Sequence, residues 1–446
     1  LNGIVTLSMV DGALQGSNGS ATQTVSGAEL ASVRVLSLSG GKAMTFGGSG
    51  GDVIALGTAA NRVSGKLKIT SAGSYANSGS SLATGIKQDS ALALTDAYFE
   101  VQRSELNTPP SMSTGQGVIN LGDTDNAFAG TVSAKALDMD ISLADNSALA
   151  LGNVSGATVV LDAANNEVTQ SGIINAENLL VKNAGAVVLN AENLIGTVAA
   201  TSVAGFELTN KELLTVGSVA GTDGIVSTGA INLTADDLTL SKALAASGQA
   251  VTLQTLSADT AINLGAATTA TTDFDLEASE LALLSDGFSS ITIGNSTAGK
   301  ITAATATFAD KLELVSGSGG ISVDGALSTG SNDLVMNTTG AIEQSAAISA
   351  AGLGIVNASE VILSNTSNDV TTFAAEDLNG DLTYVDANAL AIGSVNPTGI
   401  SCTEGTTCAV EVSTVSGDLS VNEDIAADSV VLNAGSAQAA GTATGG

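Results

Sequence analysis

Histidine and tryptophan are missing from this chain, and aromatics as a whole make up 2% of it. Without imidazole, Ser-His-Asp and Cys-His catalysis and histidine-ligated metal sites are excluded together. Without large aromatics there is no sugar-stacking platform, and no material for the aromatic core of a compact enzyme. Bases are scarce too, 13 against 44 acids, which leaves a net charge of −31. Such a surface repels phosphate backbones and anionic lipid, so no nucleic acid and no membrane surface is expected as a partner. No apolar run reaches the roughly 18 residues of a spanning helix, so no membrane insertion is expected. With 3 prolines, no Pro-rich linker divides the 446 residues into separate domains.

What is present is small and branched. Glycine alone contributes 52 residues, and the apolar 44% comes chiefly from Val, Ile, Leu and Ala. The acids are spread singly, so the composition is not that of a disordered acidic chain. Apolar and polar residues alternate in "GIVTLSM" (3–9), "GKLKIT" (65–70), "AINLTADDLTL" (230–240), "AVTLQTL" (250–256), "KLELVSG" (311–317) and "SVVLNAG" (429–435). This period of two, in residues that favour strands, predicts short strands with one buried face. Gly, Asn, Asp and Ser between them supply tight turns.

The pattern also repeats. "DISLADNSALALGNV" (140–154) matches "DLTYVDANALAIGSV" (381–395) without gaps, and "GFELTNKELLTVGSV" (205–219) keeps the apolar positions but has Gly205 and Asn210 where the others have aspartates. Residues 168–190 align with 342–364, and 194–219 with 370–395 after a two-residue slip. Internal repeats of strand-and-turn units are the mark of a solenoid. The expected fold is therefore all-β: a parallel β-helix, or β-solenoid, of roughly 20 residues per turn, stacked about 4.8 Å per turn. Its expected parts are N-terminal turns (1–85), an excursion from the stack (86–117), a main β-helix holding the duplication (118–434) and a flexible tail (435–446). The excursion "IKQDSALALTDAYFEVQRSELNTPPSMSTGQG" concentrates prolines and charges, and its Tyr98, Phe99 and Arg103 are candidates for a binding protrusion.

The segments 351–395 and 126–154 resemble the repeat region of filamentous-haemagglutinin-like secreted bacterial adhesins. The resemblance implies a right-handed parallel β-helix, export to the bacterial cell surface, and adhesion or matrix formation. The N-terminal secretion domain of that family is not recognisable in this chain, and "VNP" (395–397) is too short to stand for its Asn-Pro motifs.

Candidate chemistry is sparse. Cys402 and Cys408 in "CTEGTTC" can close a local disulfide or stay as two thiols; the even count favours the disulfide, which suits an oxidising compartment. "GGSGGDVIA" (47–55), with Asp52, fits one copy of a Ca²⁺-binding nonapeptide but is not continued. "GDTDNAFAG" (122–130) places Asp123 and Asp125 close together, as a Ca²⁺ loop or an Asp/Asn turn would. Otherwise no cofactor is expected. An enzyme acting on polysaccharide would have to use carboxylates, and the adjacent pair Asp236–Asp237 in "LTADDLTL" could supply an acid and a base. Neighbours on a strand face opposite sides, which argues against joint action. The expectation is a non-enzymatic, secreted surface protein. Strands begin almost at Leu1 and lie close to the C-terminus with no cap helix, so open strand edges should favour end-to-end self-association. A glycan or protein of a host or neighbouring cell is the other expected partner.

Overall fold

A computed structural model describes the strands Val5–Val10, Ala13–Ser17, Thr22–Ser26, Val35–Gly40, Met44–Phe46, Lys66–Gly73, Ile86–Gln88, Ala93–Leu94 and Asp96–Arg103, and residues 119–136, 140–266 and 273–435 throughout. Parallel strands stack coil upon coil into a β-solenoid, and Ala278–Leu281 is the one helical turn among the described residues. The chain divides into two compact units, Leu1–Gly229 and Ala230–Gly446.

In the first unit one ladder aligns Ile119 with Ile141, Ile141 with Val159, Val159 with Leu179, and Leu179 with Val198. Subtracting the numbers gives steps of 22, 18, 20 and 19 residues. That is the coil length expected from the repeats. These five residues are buried, as are Leu121, Leu143, Leu161, Val181 and Ala200 two positions on. Alternation therefore aims the same two positions of every coil into one narrow aliphatic core. Coils here turn corners without breaking the strand. Leu149–Asp162 pairs first with Val168–Gln170 and then with Ile174–Ala184.

Two expectations change at the start of the chain. Val5–Val10 pairs in parallel with Met44–Phe46 on one side, but antiparallel with Ala13–Ser17 on the other, and Ala13–Ser17 pairs antiparallel with Thr22–Ser26. An antiparallel meander stands where an open parallel edge was expected. Within the proposed excursion, Ile86–Gln88 pairs with strands of the coils on both sides, and so does Asp96–Arg103. Residues 104–118 lie outside the described residues.

In the second unit a ladder runs Ile301, Ile321, Ile342, Val361, Leu382, Val410, Val430, in steps of 20, 21, 19, 21, 28 and 20. The 28-residue coil carries two additions, a hairpin at 393–399 and the loop 403–407 closed by the Cys402–Cys408 disulfide. A loop closed over a separation of 6 residues stabilises by about 2 kcal/mol on chain-entropy grounds. Cys402→Ser/Cys408→Ser should therefore raise amide exchange in Ile400–Cys402 and Ala409–Thr414, while coils before residue 360 keep their protection. Another insertion, after Ile262–Gly265, sends Phe274–Glu277 to pair back on that strand. It then forms the helical turn, whose Glu280 carboxylate accepts the N–H of Glu277 and of Leu240.

The duplication is physical. The Gln170 and Asn193 amides bond each other reciprocally at 2.9 and 3.0 Å, and Asn193 accepts the N–H of Ile174. The Gln344 and Asn368 amides do the same at 2.9 Å each, and Asn368 accepts the N–H of Ile348. Asn183 and Asn357, matched in the sequence, both have positive φ, 48° and 65°.

Candidate functional site

The repeated aspartates accept backbone N–H groups from strands of neighbouring coils. Asp381 accepts the N–H of Ala409 at 2.8 Å, in the following coil. Asp140, its counterpart, accepts that of Thr158 at 3.2 Å. Asp386 reaches back to the N–H of Val370 at 3.0 Å, and Asp145 to that of Phe128 at 3.1 Å. In the third copy Asn210 accepts the N–H of Ile195 at 2.8 Å. The recurring acids are therefore clamps between coils. The substitution of Asn for Asp follows the local backbone. Asp145 and Asp386 also accept the N–H two residues on, from Ser147 and Asn388, which needs a second acceptor oxygen. Asn210 instead donates to the carbonyl two residues on, that of Glu212, which needs an amide.

Asp386 is fully buried, as is Tyr384, whose hydroxyl donates to it at 2.8 Å and whose ring stacks on Phe373 at 4.5 Å. Burial is the main force raising both ionisations. It lifts the Asp386 carboxyl, against the opposing bonds from Asn388, Tyr384 and Val370, and with a smaller push from Asp369. Burial and then the Asp386 charge raise the Tyr384 hydroxyl, which keeps its proton. Burial likewise raises Asp145. A carboxyl whose pKa is higher in the fold than in the unfolded chain binds more protons when folded, so stability falls as pH rises through that range. Acidification from neutral pH toward the unfolded-chain value of about 4 should therefore raise the urea midpoint. In about 0.5 M salt, which screens surface repulsion but not buried groups, the rise should persist. A midpoint that drops over this range contradicts the assignment.

The other candidates scatter. Asp236 is occupied by the N–H groups of Leu256 (2.9 Å) and Ser257 (2.6 Å) and by the Ser257 hydroxyl, so it caps a turn. Asp237 is raised by burial and then by the charge of Asp275, and Asn263 donates to both Asp273 and Asp275. Asp123 accepts the N–H of Asp125 at 3.0 Å, the bond of an Asp turn, while Asn126 is buried and donates to the carbonyls of Leu121 and Ala144. Among the described residues no group of three or more His, Cys, Asp or Glu is placed to hold a metal ion. Asp52 lies outside the described residues. Phe99 is not on a protrusion: it is fully buried, aligned with Ala134, while Tyr98 is half-buried. Arg103 ends the paired strand Asp96–Arg103.

Among the described residues, the coil made by Leu419–Val421, Ile425–Ala426 and Ser429–Asn433 is paired on one side only, by the coil before it. Val430 and Leu432 align with the buried Val410 and Val412, yet are 42% and 38% exposed, and Val421 is 50% exposed although aligned with buried Ile392. Comparison with protein families, with curated proteins and with solved structures finds no match.

Proposed function

We propose that this chain is a non-enzymatic, secreted β-solenoid of the bacterial cell surface, serving as an adhesin or as the subunit of an extracellular filament. Regular coils held by aliphatic residues and corner clamps suit a protein that displays or extends a surface. The exposed inward positions Val421, Val430 and Leu432 carry the reading. Apolar residues in core register, on strands that pair on one side only among the described residues, favour stacking against another coil, and a second copy of the chain is the proposed occupant. The resemblance of 126–154 and 351–395 to haemagglutinin-like repeats supports adhesion and export. A local oxidised pair, Cys402–Cys408, is in keeping with an oxidising compartment.

Adhesion and assembly separate by deleting residues 104–116, which leaves the paired strand Asp96–Arg103 intact. An adhesin with its patch there loses cell binding and keeps assembly. If cell binding survives the deletion, the adhesin form of the proposal is wrong for this segment.

A further inference from the structure

Two hairpins lie on the outside of the solenoid, one in each unit, and they are built alike. In residues 217–224, Ser218 pairs with Asp223 and Val219 with Thr222 across a turn at Ala220 and Gly221, both with positive φ (49° and 84°). This is the geometry of a two-residue hairpin turn. In residues 393–399, Ser394 pairs with Thr398, and their hydroxyls meet at 2.8 Å. The bases match bond for bond. Gly224 N–H donates to Gly217 at 2.8 Å, as Gly399 N–H does to Gly393 at 2.8 Å. Gly217 N–H donates to Val198 at 3.0 Å, as Gly393 N–H does to Phe373 at 3.0 Å. Ala200 N–H donates to Gly224 at 2.9 Å, as Ala375 N–H does to Gly399 at 2.8 Å. Gly224 and Gly399 have φ of 67° and 70°, a conformation that favours glycine.

Beneath each hairpin the outward face of the sheet turns apolar. Under the first, Val160, Leu180 and Ala199 align on three successive coils and pack with Val219. Their chain neighbours Val159, Leu179 and Val198 already point into the core. Under the second, Val335, Gly354 and Ala374 align in the same way, with Leu334, Leu353 and Phe373 inward. Here the hairpin lies so close that a Cβ on Gly354 would fall 2.5 Å from the Asn396 carbonyl oxygen, and one on Gly352 2.9 Å from Val395. Away from the hairpins these outward rows are polar or half-exposed: Ser142 precedes Val160, and Thr292 and Glu313 precede Val335.

We infer that the two hairpins are copies of one device, an external strap that locks three successive coils by covering an apolar stripe on their outer face, and that lifts about its glycine base before those coils open. Outward apolar residues occur in register where a strap covers them, and the strap's base bonds to the third of the coils it covers while its packing reaches the others. Sheet pairing holds each coil to the next; the strap adds a connection that skips a coil. Lifting it bares the stripe to water without breaking a ladder.

Hydrogen exchange on the full chain tests this, with two variants that control for each other. Gly354→Ala leaves the strap's own residues untouched and pushes it off by its added Cβ; Val219→Ser weakens the other strap. Gly354→Ala should speed exchange of the Gly399 and Ala375 amides and of residues 353–356 by roughly tenfold, a buried valine's worth of contact. Residues 178–182 and 197–201 should be unchanged. Val219→Ser should do the reverse, acting on Gly224, Ala200 and residues 178–182. Circular dichroism should show the same β content in both. The inference is overturned if strap amides exchange freely while the coils beneath keep full protection, or if either variant loosens both regions alike.

Discussion

Asp386→Ala is expected to open the solenoid locally, at a cost of about 3–5 kcal/mol. The substitution strands the N–H groups of Val370 and Asn388 and the Tyr384 hydroxyl, all of which donate to the carboxylate, and each buried donor left without a partner costs roughly 1–3 kcal/mol. Relief of the carboxylate's own burial, visible in its raised pKa, keeps the total below the sum. In a stack where each coil contacts its neighbours, the loss stays near the site, so amide exchange should rise across Asp369–Leu378 and Leu382–Asp386. Asp386→Asn should recover part of the loss: its oxygen can accept from Val370, as Asn210 accepts from Ile195, but its amide then faces the N–H of Asn388. Full recovery by Asn, or no effect of Ala, would mean the corner is held by something else. A pair working as catalyst could not be exchanged for Gly205 and Asn210, whereas a clamp can follow its backbone.

How far the sequence reached is clear from the phrase around that residue. Alternation identifies Leu382, Tyr384, Leu390 and Ile392 as inward, and all four are buried. The repeats set the coil length, which the registers reproduce. Asp386 was legible as a turn residue but not as a buried one, because a corner that turns a side chain inward has the same composition as one that turns it out. The fate of the final Gly-x-Val was equally hidden. Gly152-Asn153-Val154 runs straight on inside Leu149–Asp162, with Val154 in the core, while Gly217-Ser218-Val219 and Gly393-Ser394-Val395 turn out into straps. The next residues make the difference: Ala220-Gly221 and Asn396-Pro397 are turn formers, and Ser155 continues a strand. The stretch 86–103 misled for the opposite reason. Its charges suggested a loop, but Lys87 aligns with Asn120 and Glu100 with Lys135 in the register of stacked strands. The helical turn at Ala278–Leu281 had a signal in "LEASEL" (276–281), with Glu280 three residues after Glu277, the spacing of a capping box.

The second large effect concerns assembly. Val430→Asp with Leu432→Asp puts two charges at core-register positions of a coil that is paired on one side only among the described residues. Burying unpaired carboxylates against another coil costs several kcal/mol, so association through this edge should weaken at least a hundredfold by sedimentation. The subunit itself should keep its thermal midpoint within a few degrees, since both residues are already more than a third exposed. Unchanged association would show that this coil is not the contact.

Electron microscopy of the purified chain across a concentration series bears most directly on the proposed role. Stacking of copies predicts end-to-end filaments that lengthen with concentration and shorten in the Val430→Asp/Leu432→Asp variant. Single particles of one-subunit size at every concentration would contradict it.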